Sequence, residues 1–261
     1  MAQYSVTRKG KFSSHNRDIH EVVMLADKDG NIINTAGSAS NIPIASGDVS
    51  GYSHINKFGY RDVIAGSYQT IWDKAADYTY VAAGPLLVTS SNTADDNGGT
   101  VEVQGLDENY LPVTEVLTIG GAASTAQFSR VFRALMITST TNGTNQGTIS
   151  IKNGATDVAL IRPEAGQTLM ALYTIPAGKT GFLLKVHGSV DANNDATFRI
   201  YTRPFSGSFN VKGMFGVFAN SFDYDYPVPL RFEEKTDLEI KGLSQNGVGG
   251  GAIFDLILVD N

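Results

Sequence analysis

The sequence predicts an all-β protein, an antiparallel β-sandwich preceded by an extended N-terminal arm. From Gln69 onward, short apolar runs are separated by turn residues at intervals of about ten residues, which is typical of antiparallel sandwiches and barrels. Glycine accounts for 28 of the 261 residues, a larger share than the roughly 7% of average proteins. Helix signals are few. These observations favour antiparallel sheets over βαβ units.

The composition excludes several classes of function. The chain carries 20 basic and 26 acidic residues, a formal charge of −6, so it lacks the positive excess with which proteins neutralise nucleic-acid phosphates. It contains no cysteine, which excludes disulfides, thiolate catalysis and cysteine-ligated zinc. Neither a secretory signal nor an apolar stretch of about 18 residues is visible. We therefore expect a protein that binds neither nucleic acid nor a membrane and that folds in the cytosol.

Residues 1–65 are predicted to form the arm, which contains one β-hairpin. Ile19–Ala26 has the apolar character of a strand, and Asn31–Asn34 that of the returning strand. Asp27–Gly30 between them predicts a tight turn, because Asp and Gly tolerate the backbone conformations that such turns need. Thr35–Tyr60 is rich in Gly, Ser and Asn and has little periodicity, so we expect an extended arm or a long surface loop there.

Residues 66–261 are predicted to form the sandwich domain, which could comprise two sub-sheets. Asn153-Gly154 is a strong hairpin signal, and Pro176–Thr180 is interpreted as another hairpin turn. Phe128–Met136 has the spacing of a short helix but also alternates in part, so helix and strand both stay open. The predicted strands are Leu86–Ser90, Thr100–Gly105, Val113–Ile119, Thr148–Lys152, Val158–Ile161, Thr168–Ile175, Gly181–Val190, Ala196–Thr202, Phe209–Phe218, Leu230–Phe232, Thr236–Leu243 and Ala252–Val259.

No catalytic, cofactor-binding or metal-binding residue is predicted, and no cofactor is expected. His20-Glu21 begins like a zinc-protease motif, but no second histidine follows at the required spacing. Gly178–Thr180 echoes a phosphate-binding loop without the preceding glycine or the following helix that such a loop needs. Asp95–Asn97 and Asp191–Asp195 are acidic segments that we interpret as solvated turns rather than ion sites. These absences favour a non-enzymatic role.

Aromatic and basic residues supply the candidate partner contacts. Phe215–Tyr226 is the most aromatic stretch, and aromatics interleaved with acids pack a β core, lie at a subunit interface or stack on sugars. Trp72, the only tryptophan, is expected to be buried near the start of the sandwich domain. The predicted partner-contact residues are Arg8, Lys9, Lys11, Arg17, Phe215, Phe218, Tyr224 and Tyr226.

Several separate segments carry a resemblance to one family. They are Thr70–Asp73, Gly99–Val101, Gly105–Asp107 with Asn109-Tyr110, Phe128–Arg133, Gln167–Met170, Tyr173–Thr180 and Glu234–Asp237. Together they resemble the structural proteins of tailed-bacteriophage virions, over about Gln69 to Asn261. The segments are turns and strand edges rather than catalytic signatures, so no active site is implied.

The resemblance implies a jelly-roll-like sandwich and a place in the virion after assembly in the host cytoplasm. The first hypothesis is a capsid decoration or cement protein, whose arm and β domain contact the major capsid protein or other virion proteins. Symmetric self-association, with a trimer favoured, is expected. The alternative is a tail-associated adhesin that recognises host glycan through Phe215–Tyr226. A β-sandwich polysaccharide hydrolase is a third hypothesis, which no motif supports.

Overall fold

A computed structural model of the chain describes residues 41–95, 98–139, 143–191, 194–218 and 221–261, together with Leu25–Ala26 and Ile32–Ile33. Its elements, in chain order, are β1 (Leu25–Ala26), β2 (Ile32–Ile33), α1 (Asn41–Ala45), β3 (Tyr52–Ile64), β4 (Gln69–Thr70), β5 (Leu86–Ser90), β6 (Thr100–Asp107), β7 (Pro112–Thr118), β8 (Phe128–Thr138), β9 (Ile149–Asn153), β10 (Thr156–Ile161), β11 (Leu172–Thr174), β12 (Lys179–Val190), β13 (Asp195–Arg203), β14 (Asn210–Phe218), β15 (Ser221–Phe232), β16 (Asp237–Leu243) and β17 (Val248–Asp260). The predicted all-β, antiparallel class is confirmed.

The chain divides into two compact units, Met1–Ser53 and His54–Asn261. In the first unit, β1 and β2 pair antiparallel, with Leu25 opposite Ile33, within the segment for which the sequence predicts a hairpin. The predicted turn between these strands lies outside the described residues. Helix α1 has five residues, and no helix in the described part of the chain is long and apolar enough to cross a membrane.

The second unit contains two sandwiches, each with its own core. In the first sandwich, the sheet β15-β12-β17-β3 packs against the sheet β11-β16-β13-β14, on which β4 pairs with β16. Phe254 and Leu256 of β17 meet Phe198 and Ile240 of the opposite sheet, all buried in one cluster. Alternation along these strands places apolar side chains inward, as expected for packed antiparallel sheets.

The second sandwich pairs the sheet β10-β9-β5 with the sheet β7-β6-β8. Its core includes Ile151, Val103 and Phe128. Trp72 is 1% exposed and belongs to this cluster, so its predicted burial is confirmed. Trp72 also forms a β-bridge with Met170, which places the segments around residues 72 and 170 where the two cores adjoin.

One alternative that the sequence left open is decided, and two local predictions are corrected. Phe128–Met136 lies in β8 and is not helical, because it pairs with β6 through a register with three bulges that obscure the period-two pattern. The predicted irregular structure of Thr35–Tyr60 is wrong for its last part, which forms β3. Pro176–Thr180 is not a hairpin turn, since it joins β11 and β12, which lie in opposite sheets.

Strand β3 escaped prediction because its inward positions do not look apolar. Lys57, Gly59 and Arg61 are its buried residues before Ile64. The guanidinium of Arg61 donates hydrogen bonds to backbone carbonyls. Among them is the carbonyl of Thr70, 3.2 Å from Nη1. The second compact unit accordingly begins at His54, earlier than the boundary at residue 66 that the sequence suggests.

Candidate functional site

Asp237, the first residue of β16, is the centre of a buried polar network. The residue is 2% exposed, and its carboxylate accepts hydrogen bonds from Arg130 Nε at 2.8 Å, Arg203 Nε at 2.8 Å and Thr174 Oγ1 at 2.7 Å. Burial disfavours the charge of Arg130, but the hydrogen bond and charge of Asp237 outweigh it and raise the pKa of Arg130. Two guanidinium groups therefore share one carboxylate, which leaves a net positive charge.

A cleft of about 350 Å³ opens beside this network, and we call it the Asp237 cleft. Besides Asp237, Arg130 and Arg203, it is lined by Tyr80 and by a rim of residues from three turns. The rim includes Tyr110, Phe205, Ser206 and Lys235. The cleft thus combines aromatic rings with an excess of cationic groups.

Two aromatic rings and one lysine shape the rim. The rings of Tyr110 and Phe205 pack edge to face, with centroids 5.6 Å apart and an interplanar angle of 85°. Lys235 Nζ lies 5.1 Å from the centroid of Phe205 and 5.8 Å from that of Tyr110, within cation–π range. Among the residues that the structure describes, no carboxylate forms an ion pair with Lys235. Its ammonium group is therefore held by rings and stays available to an anion.

Tyr80 forms the floor against the arginines. The Cζ atoms of Arg203 and Arg130 lie 4.3 Å and 5.0 Å from the centroid of its ring. Its Oη is buried and has no hydrogen-bond partner in the described part of the chain. Burial, followed by the nearby charges of Glu239 and Asp237, raises the pKa of Tyr80, so the phenol stays protonated and can donate.

The rim is built from strained backbone. Tyr110, Ser206 and Lys235 have φ angles of 65°, 57° and 59°, in the left-handed region that L residues rarely adopt. Glu164 is the one other non-glycine residue with a positive φ within the described ranges. Strain of this kind persists where the surroundings over-determine the backbone, and it clusters at binding sites.

Backbone hydrogen bonds hold these turns in place. Asp107 Oδ1 accepts from the amides of Asn109 and Leu111, each at 2.8 Å, which fixes the turn that carries Tyr110. The Tyr110 carbonyl accepts from the amide of Ala177 at 2.9 Å, and the amide of Lys235 donates to the carbonyl of Ile175 at 2.7 Å. The turns that carry Tyr110 and Lys235 are therefore fixed in shape by hydrogen bonds to their main-chain groups.

The cleft gathers residues from four separate segments of the sequence. Asn109-Tyr110, Phe128–Arg133, Tyr173–Thr180 and Glu234–Asp237 contribute Tyr110, Arg130, Thr174, Lys235 and Asp237 to the network or the rim. We predicted none of these as site residues, because each segment by itself indicates only a turn or a strand edge. No signal within any one segment indicates that the four meet in a cleft.

The predicted aromatic contact residues separate into core and surface. Phe215 is 7% exposed and stacks on Phe198 with centroids 5.5 Å apart, so it serves the core of the first sandwich. Phe218 is 76% exposed and Tyr224 is 44% exposed, while Tyr226 is partly buried and packs beside Tyr224. Partner contact through these three residues stays a prediction. Arg8, Lys9, Lys11 and Arg17 lie outside the described residues.

Strands β14 and β15 form one edge of the first sandwich, which we call the β14–β15 edge. Each strand ends the order of its own sheet, and Phe215 of β14 stacks on Phe222 of β15 with centroids 4.5 Å apart. The ring of Phe218 lies over Gly216. A Cβ placed on Gly216 would be only 3.0 Å from that ring. The exposed apolar residues of this edge are Val211, Met214, Phe218, Tyr224 and Val228.

Asp95, from the first acidic segment, and Lys179 have structural roles. Asp95 is 3% exposed and accepts from the amides of Gln146 and Gly147 at 2.8 Å and 2.7 Å, so its oxygens fix a loop. Lys179 pairs with Asp260. Within the described ranges, no three His, Asp or Glu side chains are grouped as ligands for a metal ion.

No family model matches the chain, and no curated protein matches its sequence. The chain is similar to solved structures of infectious bursal disease virus. For the Gx strain, identity is 10%, coverage is 79% of this chain and 70% of that chain, and the TM-score is 0.21. For the Gt strain, identity is 12%, coverage is 81% of this chain and 73% of that chain, and the TM-score is 0.21. For the VP2 subviral particle, identity is 11%, coverage is 81% of this chain and 77% of that chain, and the TM-score is 0.17. Similarity at this level carries no argument about what the chain does.

Proposed function

We propose that this chain is a non-enzymatic structural protein of a tailed-bacteriophage virion, in the first place a decoration or cement protein of the head. The observation that carries the proposal is the β14–β15 edge, where apolar side chains stand exposed on two strands that end their sheets. The resemblance of the turn segments to phage structural proteins supports the same conclusion. Its partners are the major capsid protein or other virion proteins and further copies of the chain.

The edge has the chemistry of a docking surface. Met214 is 63% exposed and Val228 is 78% exposed, and burying such side chains contributes about 1.5–3 kcal/mol each. Strand β15 carries Pro227 and Pro229 where its register with β12 shifts, which prevents regular strand addition there. Strand β14 pairs only with β13 in its sheet, so it is the edge that a partner strand can extend. Many modest contacts, summed over copies, stabilise a shell.

Mass spectrometry of purified phage particles, with heads and tails separated, tests the proposal. We expect the chain in the head fraction, in a copy number comparable to that of the shell subunits. Absence of the chain from purified particles would exclude any role as a virion component.

A tail-associated adhesin that binds host glycan is the second candidate function. The aromatic and cationic lining of the Asp237 cleft favours it, because glycan sites combine ring faces with polar groups. Recovery of the chain in the tail fraction in a few copies per particle would support this candidate over head decoration.

A further inference from the structure

We propose that the Asp237 cleft binds a sugar that carries a carboxylate, such as a uronic or sialic acid unit. The inference does not depend on where in a virion the chain sits. It rests on four features of the cleft: unused cationic donors, flat ring faces, a buried hydroxyl without a partner among the described residues, and a rim held in a strained conformation.

The charge of the cleft is opposite to that of the chain. The protein has a formal charge of −6, whereas Arg130, Arg203 and Lys235 face the single carboxylate of Asp237. The guanidinium of Arg130 already donates hydrogen bonds to Asp237, to the carbonyl of Ser129 at 2.7 Å and to the hydroxyl of Tyr110 at 3.2 Å. Arg203 Nη1 and Lys235 Nζ, in contrast, have no hydrogen-bond partner among the described residues. These two groups can receive a carboxylate.

The rings define the second half of the ligand. Tyr110 and Phe205 stand edge to face at the rim, and Phe205 is 57% exposed. An exposed ring with an electron-rich face attracts the C–H groups of a sugar ring while excluding water from them. An inorganic anion would make no use of these rings, and a neutral sugar would accept hydrogen bonds from the cations without compensating their charge. The pair of features fits an acidic sugar.

The buried hydroxyl of Tyr80 adds a directional group. A buried polar atom without a partner costs free energy, and such atoms in folded proteins call for an explanation. Tyr80 lines the cleft next to Arg203, and its hydroxyl is the buried polar atom of the cleft lining that has no partner among the described residues. The volume of about 350 Å³ accommodates a single sugar unit and falls at the small end of ligand sites.

The strained rim makes the cleft preformed. Tyr110, Ser206 and Lys235 keep positive φ angles in the free protein, so binding need not fix these turns. Because a single sugar unit makes few contacts, an affinity in the millimolar range is expected, and repetition over many copies would strengthen attachment to a polymer.

Calorimetric titration of the full chain tests the inference. The acidic probes are methyl β-D-glucuronide and the methyl α-glycoside of N-acetylneuraminic acid. Methyl β-D-glucoside is the neutral match, and sodium acetate is the carboxylate without a sugar. We expect at least one acidic sugar to bind with a Kd of about 1 mM, and the glucoside and acetate to bind at least about tenfold more weakly.

Variants locate the binding. Lys235→Met removes the free ammonium group and Phe205→Ala removes the ring face, and each should weaken the acidic sugar by about fivefold or more. Lys212→Met on β14 and Tyr52→Ala on β3 are matched controls at exposed positions and should leave the affinity unchanged. The inference is overturned if neither acidic sugar binds at tens of millimolar, if acetate or the glucoside binds equally well, or if both cleft variants bind like the parent chain.

Discussion

Lys57 is a buried basic residue for which no carboxylate partner exists among the described residues. It is 4% exposed on the inner side of β3, where its Nζ donates to the carbonyl of Phe132. Burial, and then the repulsion of the nearby Arg133, lowers the pKa of Lys57 from 10.5 to about 7. The neutral amine is therefore the form that the fold accommodates.

This pKa gives stability a pH dependence of definite sign. Between pH 7 and 10.5 the unfolded chain holds a proton on Lys57 that the folded chain does not, so the free energy of unfolding rises with pH through that window. Lys57→Met should raise the free energy of unfolding at pH 7 by about 1–4 kcal/mol and reduce the rise above pH 7. Urea denaturation at pH 7 and pH 9.5 measures both effects.

Lys212→Met is the control for this prediction, because Lys212 is exposed on β14. It should leave the pH dependence of the parent chain intact. If Lys57→Met keeps the same pH dependence as Lys212→Met, Lys57 does not titrate in the way that its burial implies.

At the scale of the elements, the close approach of β6 and β8 positions Arg130 for the cleft. A Cβ on Gly105 would lie 2.1 Å from the carbonyl oxygen of Arg130 and 2.8 Å from Cδ1 of Phe128. The register of the two strands shifts beside Gly105, so the backbone can neither slide nor yield easily. Glycine is required here by space rather than by φ.

Gly105→Ala should lower the free energy of unfolding by about 3 kcal/mol or more, because the strands must separate around a buried methyl group. Gly154→Ala is the comparison: Gly154 has a φ of 58° and nothing near its Cβ position, so only about 1–2 kcal/mol should be lost. Thermal and urea denaturation of both variants measure the difference. Equal losses would show that β6 and β8 can move apart at little cost.

The second prediction for an element concerns docking through β14. Met214→Lys places a charge among the exposed apolar residues of the β14–β15 edge and should abolish most co-sedimentation with capsids that lack the chain. Val116→Lys makes the same change on β7, where Val116 is 53% exposed, and should co-sediment like the parent chain. Retained binding by Met214→Lys would move the docking surface away from this edge.

For the whole molecule, Asp237 joins the two sandwiches. Arg130 belongs to β8 of the second sandwich, whereas Thr174, Arg203 and Asp237 belong to the sheet β11-β16-β13-β14 of the first. One buried carboxylate thus holds groups from both cores. Removing its charge leaves the buried guanidinium of Arg130 uncompensated.

Asp237→Asn should therefore lower the free energy of unfolding by about 3–5 kcal/mol. Asp223→Asn changes an ion pair with Lys185 on the exposed face of β15 and should alter stability little. Differential scanning calorimetry, read together with the urea midpoints, checks both variants. A small effect of Asp237→Asn would mean that the two sandwiches are held together by apolar packing alone.

The sequence by itself determined the fold class and most strands of this protein. Runs such as Leu86–Ser90 show their burial in their own pattern, because alternation and turn residues are local properties. Prediction from local pattern failed for β3, because its buried side consists of Lys57, Gly59 and Arg61. It was ambiguous for β8, because bulges break the period-two pattern of that strand.

Only the tertiary structure decided where the functional groups meet. Tyr110, Arg130, Arg203 and the neighbouring pair Lys235 and Asp237 come from four separate stretches of turn or strand in the chain. A turn pattern reports its own backbone but not which other turn lies across from it, since that depends on sheet order and strand register. Likewise, the division of Phe215–Tyr226 into a core residue and exposed edge residues depends on which faces of β14 and β15 pack on the core.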